Sequence, residues 1–360
     1  MAVNESLAHL SDLAFEAALA GYVMALVCLG IEFAARRTIE PTPAEAASVS
    51  LRGTRHGGTT VLDRSGRPAI GRIEPDSRPL APWGVRFGRA GVVVTLIGFA
   101  AHLLSIVTRG LAAGRVPWGN MYEFTAMICA AAVAGFLVVL VRTGARTVGF
   151  FVLIPVVILM YVAQSALYAA AGTLVPALHS YWLVIHVLAI SLSSGVLLLS
   201  GVASLLYLMR HRYERRLAAE QNWAAEHQAA GSTGGEAGGY RPTALVAQRS
   251  RLAGLPSLAA LDRLAYRSAI VAFPVFTFAV IAGAMWAEVA WGRYWGWDPK
   301  ETCAFITWVI YACYLHARST AGWRGVRSAW ISVLGAVSMF FNLFVINIVV
   351  SGLHSYAGLN

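Results

Sequence analysis

Five histidines lie within or beside long apolar runs: His102, His179, His186, His316 and His354. The stretch from Trp291 to Glu301 reads Trp-Gly-Arg-Tyr-Trp-Gly-Trp-Asp-Pro-Lys-Glu. An imidazole surrounded by hydrocarbon costs free energy unless it is partnered, so an ionisable residue inside an apolar segment marks a functional site by default. For His102 and His316 the bland alternative is a neutral ring hydrogen-bonded across helices to a hydroxyl or a carbonyl. The tryptophan stretch has its own bland reading, the interfacial aromatic belt. A belt needs one or two aromatic residues per helix end, whereas here Trp291, Tyr294, Trp295 and Trp297 crowd one loop. Gly292 and Gly296 permit turns that other residues resist. The pattern suits a flat aromatic floor for a large planar ligand.

Two imidazoles on opposite faces of a porphyrin give six-coordinate iron. His186 stands one turn into an apolar segment, four residues after Trp182, and His354 follows the last apolar segment directly. Both fall at the depth where the tryptophan loop opens. His179, in the connection before His186, competes with it as ligand. Trp291, Trp295 and Trp297 can stack on a ring and offer indole N–H groups to polar edges, and Arg293 and Lys300 suit anionic propionates. His102 and His316 form a second, intramembrane pair. By rise per residue His102 lies about 16 Å and His316 about 24 Å from the outer ends of their helices, so a shared depth does not follow. Asp298, before Pro299, either caps a helix or orients a tryptophan and shields the edge of the ligand. Asn120 and Glu123 open another helix, where an acid complements the helix dipole; their role is supporting. His9, His56, His211 and His227 lie in polar segments and read as solvated.

Helices must position these residues. The 360-residue chain is 58% hydrophobic and 13% charged, against about 25% charged in soluble domains, so the reading is an all-α polytopic membrane protein. Apolar runs of spanning length occur at roughly 13–35, 90–112, 121–141, 148–171, 182–208, 268–290, 300–317 and 328–351. The net charge is +10, yet 24 of the 28 basic residues fall in 36–89, 142–147, 209–267 and 318–327. That bias is the positive-inside pattern. It sets orientation and does not indicate nucleic acid. Eight helices then put both termini and the tryptophan loop on the extracytoplasmic side. Residues 36–89 read as a basic cytoplasmic loop, and 209–267 as another, with a Gly-rich linker at 231–239 and a short amphipathic helix at 258–267. Acidic Glu5 and Asp12 precede the first apolar run, which reads as a retained helix rather than a signal peptide. Cys28, Cys129, Cys303 and Cys313 form no Cys-x-x-Cys pair and read as small buried apolar residues.

Trp291, Trp295, Trp297 and Asp298 resemble the tryptophan-rich "WWD" segment of the haem-handling proteins of cytochrome c maturation. With the flanking histidines the closest fit is the CcsA/ResC family of System II, over most of residues 90–360. The resemblance implies His186 and His354 as external ligands and His102 and His316 as intramembrane ligands of haem b, which is cargo as well as ligand. It implies a subunit of a holocytochrome c synthase that presents haem for thioether attachment to the Cys-x-x-Cys-His of apocytochrome c. Implied partners are a CcsB/ResB-type membrane protein, a thioredoxin-like extracytoplasmic reductant and membrane lipid, in a bacterial cytoplasmic membrane. A System I haem-delivery protein, a proton pathway or transporter built on the intramembrane histidines, and a haem electron-transfer subunit are the competing readings.

Overall fold

The structure, a computed structural model, describes residues 3–35, 82–172, 178–231, 251–348 and 350. Among them are eight helices, α1 Glu5–Ala35, α2 Pro82–Ala113, α3 Met121–Thr143, α4 Arg146–Ala166, α5 Tyr181–Gly231, α6 Leu258–Trp291, α7 Pro299–Ser319 and α8 Val326–Ile348. The described residues contain no strand, and one short 3₁₀ turn, Arg251–Gly254, precedes α6. Seven helices are long and apolar enough to cross a membrane. The eighth, α7, has 21 residues but carries Lys300, Glu301, His316 and Arg318. The chain is an all-helical, multi-pass membrane protein.

Several helices outrun their apolar runs. α2 begins at Pro82 and α6 absorbs the amphipathic segment at 258–267 into one continuous helix. α5 continues to Gly231, giving 51 residues and about 76 Å at 1.5 Å per residue. Its tail, Arg-Leu-Ala-Ala-Glu-Gln-Asn-Trp-Ala-Ala-Glu-His-Gln-Ala-Ala, is made of strong helix formers. Helical propensity carries it beyond the hydrocarbon, where apolarity alone predicts an end.

α1 packs along α2 and against α4, while α5 stands at the centre against α3, α6 and α8. α7 packs on α6 and α8. Small residues allow these approaches, as in other membrane bundles, where close packing replaces the hydrophobic effect between helices. A Cβ on Gly21 would meet Gly98 Cα at 3.2 Å, and one on Gly195 would meet Ala131 and Ala132 of α3 within 2.7 Å. One core joins α1, α3, α4 and α5 around Tyr22, Phe136 and Leu153. A second joins α5 to α8 around Leu197, Phe276 and Tyr311. A third closes the end of the bundle that carries the tryptophan loop, around Leu183, Val187 and Trp286. Cys28, Cys129 and Cys303 are buried as expected, and Cys313 is exposed.

Candidate functional site

At the tryptophan-loop end, α3, α5, α6, α7 and α8 part around an apolar cavity with about 1500 Å³ of empty space, its open mouth included. His186 lines it, with Trp118, Trp286, Trp291 and Trp295. One face of α6 holds the imidazole through residues four and three apart. His186 Nδ1 lies 2.8 Å from the carbonyl oxygen of Ala279. The ring stacks on Trp286, centroids 6.2 Å apart and planes at 15°. Between those two residues comes Gly283, where a Cβ would sit 2.7 Å from Nδ1. A carbonyl can only accept, so Nδ1 carries the proton and Nε2 carries the lone pair. That tautomer, with the second nitrogen anchored on a carbonyl, is the form a metal-binding histidine takes.

The loop after α6 is held rigidly. Trp291 packs edge-on to Trp286 at 4.9 Å. Gly292 then turns the chain with φ +69° and caps α6 by donating to Glu288 O. Asp298 caps α7 in a reciprocal box, accepting from the backbone of that helix while Glu301 accepts from Asp298 N at 3.2 Å and Gly296 N at 2.9 Å. The two bonds satisfy N–H groups that a helix start leaves unpaired. Capping is therefore an observed role of Asp298, which is buried and does not line the cavity. Trp297 has φ +56°, the left-handed region, alone among the described non-glycine residues, at a cost of about 1–2 kcal/mol.

The floor expected from the loop is divided. Trp291, Tyr294, Trp295 and Lys300 line the cavity; Trp297 and Arg293 do not. Trp297 is 67% exposed and meets Trp295 edge to face at 5.8 Å. The Arg293 guanidinium lies over Gly296, where a Cβ would come within 2.1 Å of it. Lys300 Nζ is 3.9 Å from Met121 Sδ and 5.9 Å from the Phe124 ring centre.

Trp118-Gly119-Asn120, at the start of α3, also line the cavity. Asn120 caps α3, accepting from Glu123 N at 2.9 Å. The buried Glu123 carboxylate accepts from Arg109 Nε at 3.1 Å, from both terminal nitrogens of Arg115 at 2.9 and 3.1 Å, and from Gly119 N at 2.7 Å. Arg109, also buried, reaches Asp12 at 3.2 Å and the Ala169 carbonyl. One carboxylate thus joins α2, the connection after it and the cavity lining.

The other histidines lie elsewhere. His179 is exposed and does not line the cavity. His102 is fully buried in α2, its Nδ1 3.2 Å from Tyr22 OH and its ring edge-on to Phe15 and Tyr22. His102 Nε2 has no hydrogen-bond partner among the described residues. His316 is exposed in the last turn of α7. α2 packs against α1 and α3, and α7 against α6 and α8, so these two histidines are not brought together. His354 lies outside the described residues. Composition offered no reason to single out Trp118, Trp286, Gly283 or Arg109, because isolated tryptophans, glycines and arginines near helix ends are common. The Asp-x-x-Glu spacing of the capping box was legible.

The molecule is thus a multi-pass helical membrane bundle with an aromatic-walled cavity into which a carbonyl-anchored histidine is set. Residues 118–354 match the model of the cytochrome C assembly protein family. The chain belongs to that family. It is 36% identical over 292 residues to the cytochrome c biogenesis protein CcsA of Parasynechococcus marenigrum, covering 77% of this chain and 90% of the relative. It is 35% identical over 289 residues to the CcsA of Gloeobacter violaceus, covering 72% and 85%. The solved structure of the cytochrome c haem lyase CcmF superposes with TM-score 0.54 at 14% identity over 96% of this chain. The chain spans 47% of that protein's length, and the likeness is one of fold.

Proposed function

We propose that this chain is the haem-handling subunit of a System II cytochrome c synthase. It holds haem b in the aromatic cavity with His186 on one face of the iron and His354 on the other, and presents it to apocytochrome c. The observation that carries the reading is His186, whose Nδ1–H is committed to Ala279 and whose ring is seated on Trp286 in the cavity wall. Haem supplies the reactive vinyl groups and the apocytochrome its thiols. The chain supplies ligation, stacking and exclusion of water. His186 and His354 would hold the iron until the histidine of the client takes the place of one of them. The absence of a Cys-x-x-Cys pair from the sequence accords with thiol reduction by a separate thioredoxin-like protein, and a CcsB/ResB-type subunit completes the complex. The basic bias of the connecting segments supports an orientation with the tryptophan loop and both termini outside, and the membrane in this reading is a bacterial cytoplasmic one. His102 and His316 remain proposed intramembrane ligands, and their use requires α2 and α7 to be bridged by haem or by the partner.

Detergent-purified protein is expected to show a low-spin Soret spectrum that is lost in a His186→Ala, His354→Ala double variant. A haem-free wild-type protein would reject the reading. Gly283→Val gives a finer test. The nearest atoms to a Cβ there all belong to His186, so the ring must leave its Ala279 anchor. Haem affinity is expected to fall about 10–100-fold, the usual effect of disturbing a metal ligand's supporting bond. Unchanged size-exclusion elution would separate that loss from misfolding.

A further inference from the structure

We infer that the corner between α5 and α8, at the end of the bundle away from the tryptophan loop, binds a phospholipid with an anionic headgroup. Arg212 and Arg327 take the headgroup, and an acyl chain lies along α8. The inference goes beyond the haem reading and does not depend on it. Three carboxylates at this end are already matched with arginines: Glu32 with Arg146, Glu214 with Arg210 and Asp262 with Arg318. Arg212, Arg215, Arg216, Arg324 and Arg327 are exposed and have no carboxylate partner among the described residues. Two of these five are seated on indoles. The guanidinium of Arg212 lies 5.8 Å over the Trp330 ring, and that of Arg327 lies 5.5 Å over Trp323. A guanidinium placed on an aromatic face keeps its planar N–H fork for an oxyanion. Among the described residues Arg327 donates only to the Gly322 carbonyl, at 3.5 Å.

Helix packing puts the two arginines at one corner. α5 and α8 meet at Ser200 and Ser332, whose Oγ atoms are 3.2 Å apart, and at Gly201, where a Cβ would lie 2.5 Å from that of Ala336. Nearer the arginines, a Cβ on Gly325 would lie 3.0 Å from the Tyr207 hydroxyl, so the turn before α8 rests on α5. Arg327 and Trp330 are three residues apart on α8 and are neighbours on its surface. Arg212 reaches across from α5 to cover the second of them. Beyond Trp330, the exposed Leu334, Val337 and Phe341 follow at helical spacing, and Leu205 is exposed two turns before Arg212 on α5. Charge, indoles and an apolar stripe thus succeed one another along the corner. That is the order of headgroup, interface and hydrocarbon in a phospholipid leaflet. A soluble anion would use the arginines and leave the stripe uncovered.

The test gives full-length protein in a neutral detergent an equimolar mixture of dioleoyl phosphatidylglycerol and dioleoyl phosphatidylcholine. Native mass spectrometry then counts the lipids retained. Each arginine at a membrane surface is worth about fivefold, so wild type is expected to favour phosphatidylglycerol by about 25-fold. The pair Arg212→Gln, Arg327→Gln should lose most of that preference. The pair Arg86→Gln, Arg89→Gln removes the same charge from exposed positions on α2 at the same end of the bundle, and should keep it. Trp330→Leu keeps both charges and the apolar stripe but removes the seat of Arg212, and should lower the preference about two- to fivefold. A diffuse attraction to basic charge would not respond to that change. Equal retention of the two lipids by wild type would overturn the site, as would equal losses in the two arginine pairs. An unchanged ratio in Trp330→Leu would also overturn it, and that variant decides the matter if the Arg212, Arg327 pair fails to fold.

Discussion

Purified His186→Ala is expected to lose the six-coordinate low-spin spectrum and to support no cytochrome c maturation. Added imidazole should restore the spectrum and part of the activity. The size of the effect follows from the geometry. A group that only orients a metal ligand is worth about 10–100-fold in affinity, so loss of the ligand itself should exceed that range. The imidazole is half-buried in the cavity wall, where it meets the Ala279 carbonyl and the Trp286 indole. Truncation therefore enlarges an existing cavity and leaves the helices in place. Rescue by free imidazole reads ligation directly, because a folding defect would not respond to it. Full maturation by the variant would assign the iron to another residue.

Glu123→Ala is expected to have the largest effect on stability, about 3–5 kcal/mol, the usual cost of leaving a buried charge without its partner. Arg109 and Glu123 are each 2% exposed, and the variant strips Arg109 of one carboxylate, Arg115 of its carboxylate, and Gly119 of its acceptor. Because the same carboxylate holds the Trp118-Gly119-Asn120 part of the cavity lining, haem affinity should fall together with the thermal midpoint. The pair Arg109→Met, Glu123→Met should cost less than Glu123→Ala alone, since it buries apolar groups instead of a guanidinium that keeps only one of its two carboxylates. Thermal midpoints in one detergent at one scan rate make the comparison. A strictly additive result would show that Arg109 and Glu123 do not act as a unit.

Apolar run lengths and the clustering of arginines determined the eight helices and their order, because a membrane demands about 20 apolar residues per crossing regardless of what each helix touches. The cluster of aromatic residues at 291–297 likewise singled out the loop, and Asp298 before Pro299 offered the cap as one of two roles, since both are local patterns. What chain order could not determine is which side of each residue faces inward. Trp297 and Arg293 belong to the recognisable segment, yet a left-handed backbone at Trp297 and the contact of Arg293 with Gly296 turn both away from the cavity. Trp118, Trp286 and Gly283 have unremarkable neighbours in sequence and join the wall only because α3 and α6 meet α5 at one end of the bundle. His102 and His316 look alike along the chain, but one packs against Tyr22 while the other ends α7 in the open. Segment identity is a property of composition. Convergence on a cavity depends on helix rotation and crossing, which long-range packing alone fixes.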